Sequence, residues 1–274
     1  MTKNKIISYT DKIKIVTQNN NILYYNDRTK IYDMYNVITV GKVGSQNFDT
    51  ILIPLFMKRP LTHSLLKLKE VLNTSNNFII VGVRNPIDRN LSYFYNIGNI
   101  PNNELSKEFQ TKKNNYQSQI INFSEKIINK STTDTIDLYF NTDIHNQFNE
   151  WFSEFFEITG INQKTFNKTE GLDFYELPNN NKIMIYTLEK FNSNLNNFRK
   201  IFRLENCPEH NINNIIVNAY NSNDCIWKDH YNTTKSQITY TQSYLDSQLN
   251  TDIMKFFYSD EDIQGFYNKY TVQN

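Results

Sequence analysis

An excess of charge of one sign is the first thing this chain lacks. Its 274 residues carry 29 Lys and Arg against 28 Asp and Glu, a net of +1. A nucleic-acid-binding protein ordinarily shows a basic excess or stripe, so any recognition of a polyanion here has to be local. Cysteine is nearly absent. Cys207 and Cys225 are the only two, without metal-ligand spacing; they read as ordinary reduced thiols, with a disulfide between them as the alternative. Long apolar runs are missing too, and nothing approaches the ~18 consecutive apolar residues of a membrane span. The start, Met1-Thr2-Lys3-Asn4-Lys5-Ile6-Ile7, has no apolar segment of the signal-peptide kind. The expectation is a soluble, cytoplasmic protein with no nucleic-acid partner and no integral membrane contact. Asn90-Leu91-Ser92 is formally a glycosylation sequon, but it lies in a segment read below as an anion site. A glycan would block that site, which disfavours a secretory life.

What is present is enough apolar material for a large core. Hydrophobic residues make up 39% and aromatics 14%, too much for a disordered chain. No internal repeat or interdomain linker stands out, so residues 1–274 are expected to form a single domain, with 1–35 as an N-terminal hairpin extension. In that extension, Lys12-Ile13-Lys14-Ile15-Val16 and Ile22-Leu23-Tyr24-Tyr25 read as two strands. From Val37 onward the pattern becomes strand, turn, helix, strand, helix. That order implies an α/β fold, a parallel sheet with right-handed crossovers. Phe48, Ile51, Leu52, Leu55 and Phe56 fall at helical spacing, as do Phe148, Trp151, Phe152, Phe155 and Phe156 in a stripe ending at Gly160. Lys182–Tyr186 reads as a late strand leading through Leu188-Glu189 into a helix, and residues 253–267 as a docked helix pair.

The most informative stretch is Val37-Ile38-Thr39-Val40-Gly41-Lys42-Val43-Gly44-Ser45-Gln46-Asn47. A β-branched run stops at a Gly-Lys-x-Gly-Ser turn, with helical spacing beyond it. Such a turn gathers unpaired backbone N–H groups, a helix N-terminus and one lysine around a point, which suits a phosphate. The spacing is not that of a Walker A loop, where the lysine follows the last glycine. About 40 residues on, Phe78-Ile79-Ile80-Val81-Gly82-Val83 runs into Arg84-Asn85-Pro86-Ile87-Asp88-Arg89-Asn90-Leu91-Ser92. The apolar run suits a strand covered on both faces, and Pro86 suits the first turn of a helix. Arg84 at the strand end and Ser92 eight positions later could bring a guanidinium and a hydroxyl to one phosphate. Two anion sites on consecutive strand ends point to a nucleotide with phosphates at both ends.

These two segments resemble the cofactor loops of the sulfotransferases that use 3′-phosphoadenosine 5′-phosphosulfate (PAPS) and release 3′-phosphoadenosine 5′-phosphate (PAP). The likeness is nearest to carbohydrate sulfotransferases and to a bacterial group of capsular polysaccharide synthesis proteins. It extends to Trp151-Phe152-Ser153-Glu154, to Ile185-Tyr186-Thr187-Leu188-Glu189 and to the closing Phe257-Tyr258…Asp262-Ile263…Gly265-Phe266-Tyr267. The resemblance implies a P-loop-type three-layer α/β/α fold with a central parallel sheet. It also implies that Lys42 and the backbone of Val43, Gly44, Ser45, Gln46 and Asn47 hold the 5′-phosphosulfate, and that Arg84 and Ser92 hold the 3′-phosphate. Gln46 stands where the family commonly has Ser or Thr; an amide also donates a hydrogen bond to phosphate. The implied acceptor is a carbohydrate or other small hydroxyl compound, and no metal is required.

Sulfuryl transfer rests on positioning and charge stabilisation, so Lys42 is the expected electrostatic catalyst. The acceptor hydroxyl needs a general base, for which neutral imidazole is well matched near pH 7. His63 is the first candidate, with His145 and Glu154 as substitutes. Trp151 and its phenylalanine neighbours fit core packing better than a stacking platform, and His210 and His230 read as surface residues. Two alternatives stay open: a nucleotide-dependent kinase on a P-loop scaffold, and a non-catalytic nucleotide-fold protein in polysaccharide synthesis.

Overall fold

The run Asn77–Val83, buried along its whole length, is the middle of a sheet. The protein is mixed α/β, and the computed structural model describes residues 5–10, 13–18, 21–26, 31–32, 34–43, 61–97, 130–194 and 228–271. The chain falls into two units, Met1–Arg84 with Phe152–Ser222, and Asn85–Trp151 with Asn223–Asn274.

The first unit holds two sheets. Strands β1 (Lys5–Thr10), β2 (Ile13–Gln18), β3 (Asn21–Asn26) and β4 (Ile31–Tyr32) follow one another in an antiparallel meander. The two strands read from the sequence in this region are β2 and β3, paired with Ile15 opposite Tyr24. The second sheet is built from β5 (Met34–Ile38), β6 (Leu61–Thr62), β7 (Asn77–Val83), β8 (Leu172–Glu176) and β9 (Lys182–Thr187), in the order β6-β5-β7-β9-β8. Four of its strands are parallel; β8 alone runs antiparallel, against β9 at the edge. An antiparallel edge on a parallel sheet is common, and the five-residue stretch Leu-Asp-Phe-Tyr-Glu gave too short a pattern to reveal it. The core of this sheet is Val37, Ile38, Ile79, Ile80, Val81, Val83, Ile183, Met184 and Ile185, each wholly or nearly wholly buried.

The order of the strands matters more than their number. The chain leaves β5 to make β6 on one side, then returns past β5 to make β7 on the other. β5 and β7 are thus neighbours whose outgoing connections diverge. In open α/β sheets, ligands bind outside the carboxyl ends of such a pair. The opposite ends are locked by asparagines. Asn181 Oδ1 accepts the Asn77 N–H at 2.9 Å while its Nδ2 donates to the Thr74 carbonyl at 2.8 Å. Helix α1 (Leu65–Leu72) links β6 to β7 and buries Leu65, Leu68 and Val71 at i, i+3, i+6 spacing.

The second unit is helical among the described residues. It opens with α2 (Pro86–Ile97), where Asn85 is the N-cap: its Oδ1 accepts the Asp88 N–H at 3.1 Å. Helices α3 (Thr132–Phe140), α5 (Lys228–Gln237), α6 (Gln242–Leu249), α7 (Asp252–Phe257) and α8 (Asp260–Thr271) belong to the same unit. α4 (Gln147–Thr159) carries the chain from this unit back into the first and ends at Gly160 in the left-handed conformation. Side-chain caps start α3 at Ser131, α6 at Thr241, α7 at Thr251 and α8 at Ser259. The helix pair expected at 253–267 is α7 with α8. Leu188–Lys190, expected to lead into a helix, is a 3-10 turn, and residues 195–227 beyond it lie outside the described residues. The helical stripe expected at 48–56 lies outside the described residues. Among the described residues, no helix is long and apolar enough to cross a membrane.

Candidate functional site

The end of β5 does not simply stop; it turns with two consecutive residues in left-handed backbone, Gly41 at φ +86° and Lys42 at φ +58°. Glycine adopts this freely and lysine does not. The turn is held by three of its carbonyl groups, those of Thr39, Lys42 and Val43, each met by a side chain from a neighbouring strand. Thr39 is hydrogen-bonded through its N–H to the Thr62 carbonyl at 3.1 Å, which extends the β5–β6 pairing to the turn. His63, just after β6, then places Nδ1 2.7 Å from the Thr39 carbonyl. Arg84, just after β7, donates from Nη1 to the Lys42 carbonyl at 3.2 Å. Tyr186, on β9, donates its hydroxyl to the Val43 carbonyl at 2.9 Å. Inside the turn, the Gly41 N–H donates to Thr39 Oγ1 at 3.3 Å.

These ties have a directional consequence. The C=O and N–H of a planar trans peptide point opposite ways, so the Val43 N–H faces away from Arg84. Peptides whose carbonyls are held in this way turn their N–H groups to the opposite side, the polarity a turn needs to receive an anion, although Gly41 and Val43 are themselves buried. Lys42 itself is half-buried beside it, and Arg84 is half-buried at the next strand end.

His63 is exposed, and its ring lies over Gly41: a Cβ on Gly41 would stand 3.5 Å from His63 Cε1. The bond to Thr39 also fixes the state of the imidazole. A carbonyl only accepts, so the neutral ring carries its proton on Nδ1 and its lone pair on Nε2. The nitrogen able to take a proton is thereby specified.

Lys42, Val43, His63 and Arg84, four residues expected from the sequence at the site, meet at one end of the sheet in the first unit. Gly44, Ser45, Gln46 and Asn47 lie outside the described residues. Ser92 is half-buried in α2, in the second unit. The two substitute bases are placed elsewhere. Glu154 is exposed on α4 and pairs with Lys69 at 3.1 Å. His145 is in the second unit with both ring nitrogens engaged: Nε2 donates to the Tyr139 carbonyl at 2.9 Å, and Nδ1 accepts from the Tyr244 hydroxyl at 2.9 Å. Burial holds its pKa below the ordinary histidine value. His230 is likewise bonded, to the Tyr95 hydroxyl at 2.8 Å. Phe148, Phe152 and Phe155 are fully buried core, while Glu189 is exposed in its 3-10 turn. Cys207, His210 and Cys225 lie outside the described residues.

Three residues that complete the turn escaped the sequence reading: Thr39, Gly82 and Tyr186. Gly82 was the available signal, since a glycine inside an apolar strand marks a close approach. A Cβ at Gly82 would stand 2.6 Å from Tyr186 Oη and 2.7 Å from Val43 Cγ2. Set beside known proteins, the chain matches no family model, no curated protein and no solved structure.

Proposed function

We propose that this protein transfers a sulfuryl group from PAPS to a hydroxyl acceptor, with carbohydrate as the acceptor class, on a P-loop-type three-layer scaffold. The observation that carries the reading is the meeting of Lys42 and Arg84 at the diverging ends of β5 and β7, joined by the 3.2 Å bond between them. Two residues with cationic side chains, from two successive loops, meet at one end of the sheet, the first of them on a backbone turn. That donor set fits a ligand with more than one phosphate-type group.

In this reading Lys42 holds the bridging oxygen between phosphate and sulfate and neutralises the charge that gathers there as the bond to sulfur breaks. Arg84 takes the 3′-phosphate, the group that separates this nucleotide from ADP and ATP. Ser92 is assigned to the same phosphate by the family resemblance alone. His63 accepts the acceptor's hydroxyl proton on Nε2, the nitrogen left unprotonated by the bond to Thr39. PAPS supplies the activated sulfuryl group; the acceptor oxygen gains it and PAP departs.

The test is thermal stability with PAP, compared with ADP and with ATP in the presence and absence of Mg²⁺. A ligand at 100 times its dissociation constant stabilises by about 2.7 kcal/mol, which is visible as a raised Tm. A shift with PAP and none with ADP supports the sulfotransferase. A shift only with Mg²⁺-ATP replaces it with a kinase. No shift with any nucleotide leaves a binding or assembly role in polysaccharide synthesis as the better reading.

A further inference from the structure

Tyr186 reaches farther than a core tyrosine needs to. It stands on β9, and the carbonyl it serves belongs to Val43, beyond the end of β5; β7 lies between those two strands. That is two strand spacings, roughly 9.5 Å. The path is open because the residue of β7 in register with Tyr186 is Gly82. Any side chain there would overlap the phenol, with Cβ only 2.6 Å from Oη and 2.8 Å from Cζ. The phenol is entirely buried, as is Val43. A buried carbonyl is held in place by the buried donor it meets, so this bond fixes the Val43 carbonyl against the sheet.

We infer that Tyr186 is a positioning residue for the anion-receiving turn. Its hydroxyl, passed over Gly82, pins the Val43 carbonyl and so holds the end of the turn that carries Lys42. The inference deepens the function proposed above and rests on it for the identity of the ligand. It does not rest on it for the anchoring, which is a property of the free protein. Tyr186 touches no reacting atom in this scheme; it acts through the backbone of Val43.

Two substitutions separate this role from simple core packing. Tyr186→Phe keeps the ring and its 5.6 Å edge contact with Phe191 and removes only the hydroxyl. Gly82→Ala keeps the hydroxyl and displaces it. Amide hydrogen exchange of the free protein and calorimetric titration with PAP are then compared with wild type. The expected result is faster exchange at Gly41, Lys42 and Val43, unchanged exchange along β7 and β9, and affinity for PAP weakened about tenfold in both variants. Because the ring stays, Tyr186→Phe is also the control for folding: unchanged strand protection shows that the sheet is intact. Exchange at the turn that stays at the wild-type rate in Tyr186→Phe overturns the anchoring. Faster exchange with unaltered PAP affinity overturns the positioning role. A wild-type protein that binds no PAP removes the sulfotransferase reading and, with it, the ligand assigned to this turn, whereas the exchange comparison still decides the anchor.

Discussion

Arg84 donates to the backbone of Lys42, 42 positions earlier in the chain, through a 3.2 Å bond from Nη1 to the carbonyl oxygen. The residue assigned to one phosphate therefore braces the loop assigned to the other. Arginine can do both because its fork carries five N–H donors in a fixed plane, and lysine, with a single point of charge, cannot. Under the proposed function, the two strand ends would then act on the ligand together rather than as two independent cationic spots.

Arg84→Ala is expected to lower affinity for PAP by about 10- to 100-fold, the range for losing a hydrogen-bonded charge together with its brace. Affinity for adenosine 5′-phosphate should also fall, by a smaller factor, because the Lys42 carbonyl loses its donor. Arg84→Lys should restore part of the first effect and none of the second. Calorimetric titration of both nucleotides against the three proteins checks this; wild-type affinity in Arg84→Ala removes Arg84 from the site.

His63→Ala is expected to cut sulfuryl transfer from labelled PAPS to oligosaccharide acceptors by about 10²- to 10⁴-fold, the usual contribution of a positioned base. PAP affinity should fall far less than transfer does, since His63 is assigned to the acceptor's proton and not to a phosphate. Undiminished transfer by the variant moves the base elsewhere in the molecule.

The histidine in the second unit makes a prediction about pH and stability rather than activity. Burial is the main cause that holds the His145 pKa below 6.5; Arg89 works in the same direction, against the Tyr139 carbonyl and Asp143. The unfolded chain then binds a proton at a higher pH than the folded one does. Stability from this group is complete above about pH 6.5 and is lost as pH falls through the folded value. Urea unfolding of wild type at pH 7.5 and 5.0, beside His145→Asn, should show the loss in wild type and a shallower pH dependence in the variant. Equal slopes for the two proteins would show that His145 does not carry the effect.

Asp88 is a buried carboxylate in the first turn of α2, flanked by Lys269 at 2.5 Å and Lys235 at 3.4 Å. Both lysines are more than a third exposed, so solvent screens much of the attraction. Asp88→Ala should still cost about 1–2 kcal/mol, mostly from the lost helix-dipole and hydrogen-bond contributions. Added salt should narrow the gap between variant and wild type. Chemical denaturation at low and high salt measures both, and a gap near zero at low salt would show that the two ion pairs contribute nothing.

The sequence was most legible where one residue type has one physical use. Pro86 announced a helix start because its fixed φ suits a first turn, and α2 begins at Pro86. Phe78–Val83 announced a covered strand because no polar side chain interrupts it, and the strand is Asn77–Val83. Gly41 and Lys42 marked the turn from their place after a β-branched run. Illegible were the contacts that depend on register. Tyr186 in an apolar strand looks like ordinary core, because periodicity gives the face of a residue and not the partner of its hydroxyl. Helices α5 and α6 were missed because their sequences are polar, with Thr234 and Gln248 among the buried residues, so no apolar stripe signals them. Asn36 on β5 is a similar case: an amide with 1% exposure, in a position that alternation assigns to an apolar side chain.

Lys42 also says something about what the turn is selected to do. A lysine in left-handed backbone costs roughly 1 kcal/mol or more relative to glycine, and glycine or asparagine at this position would relieve it. Lys42→Gly should therefore yield a protein harder to unfold and poorer at gathering anions. Stability and charge make opposing demands on a single residue at φ +58°. Thermodynamic improvement of this fold, pursued without regard to its ligand, would remove that lysine first.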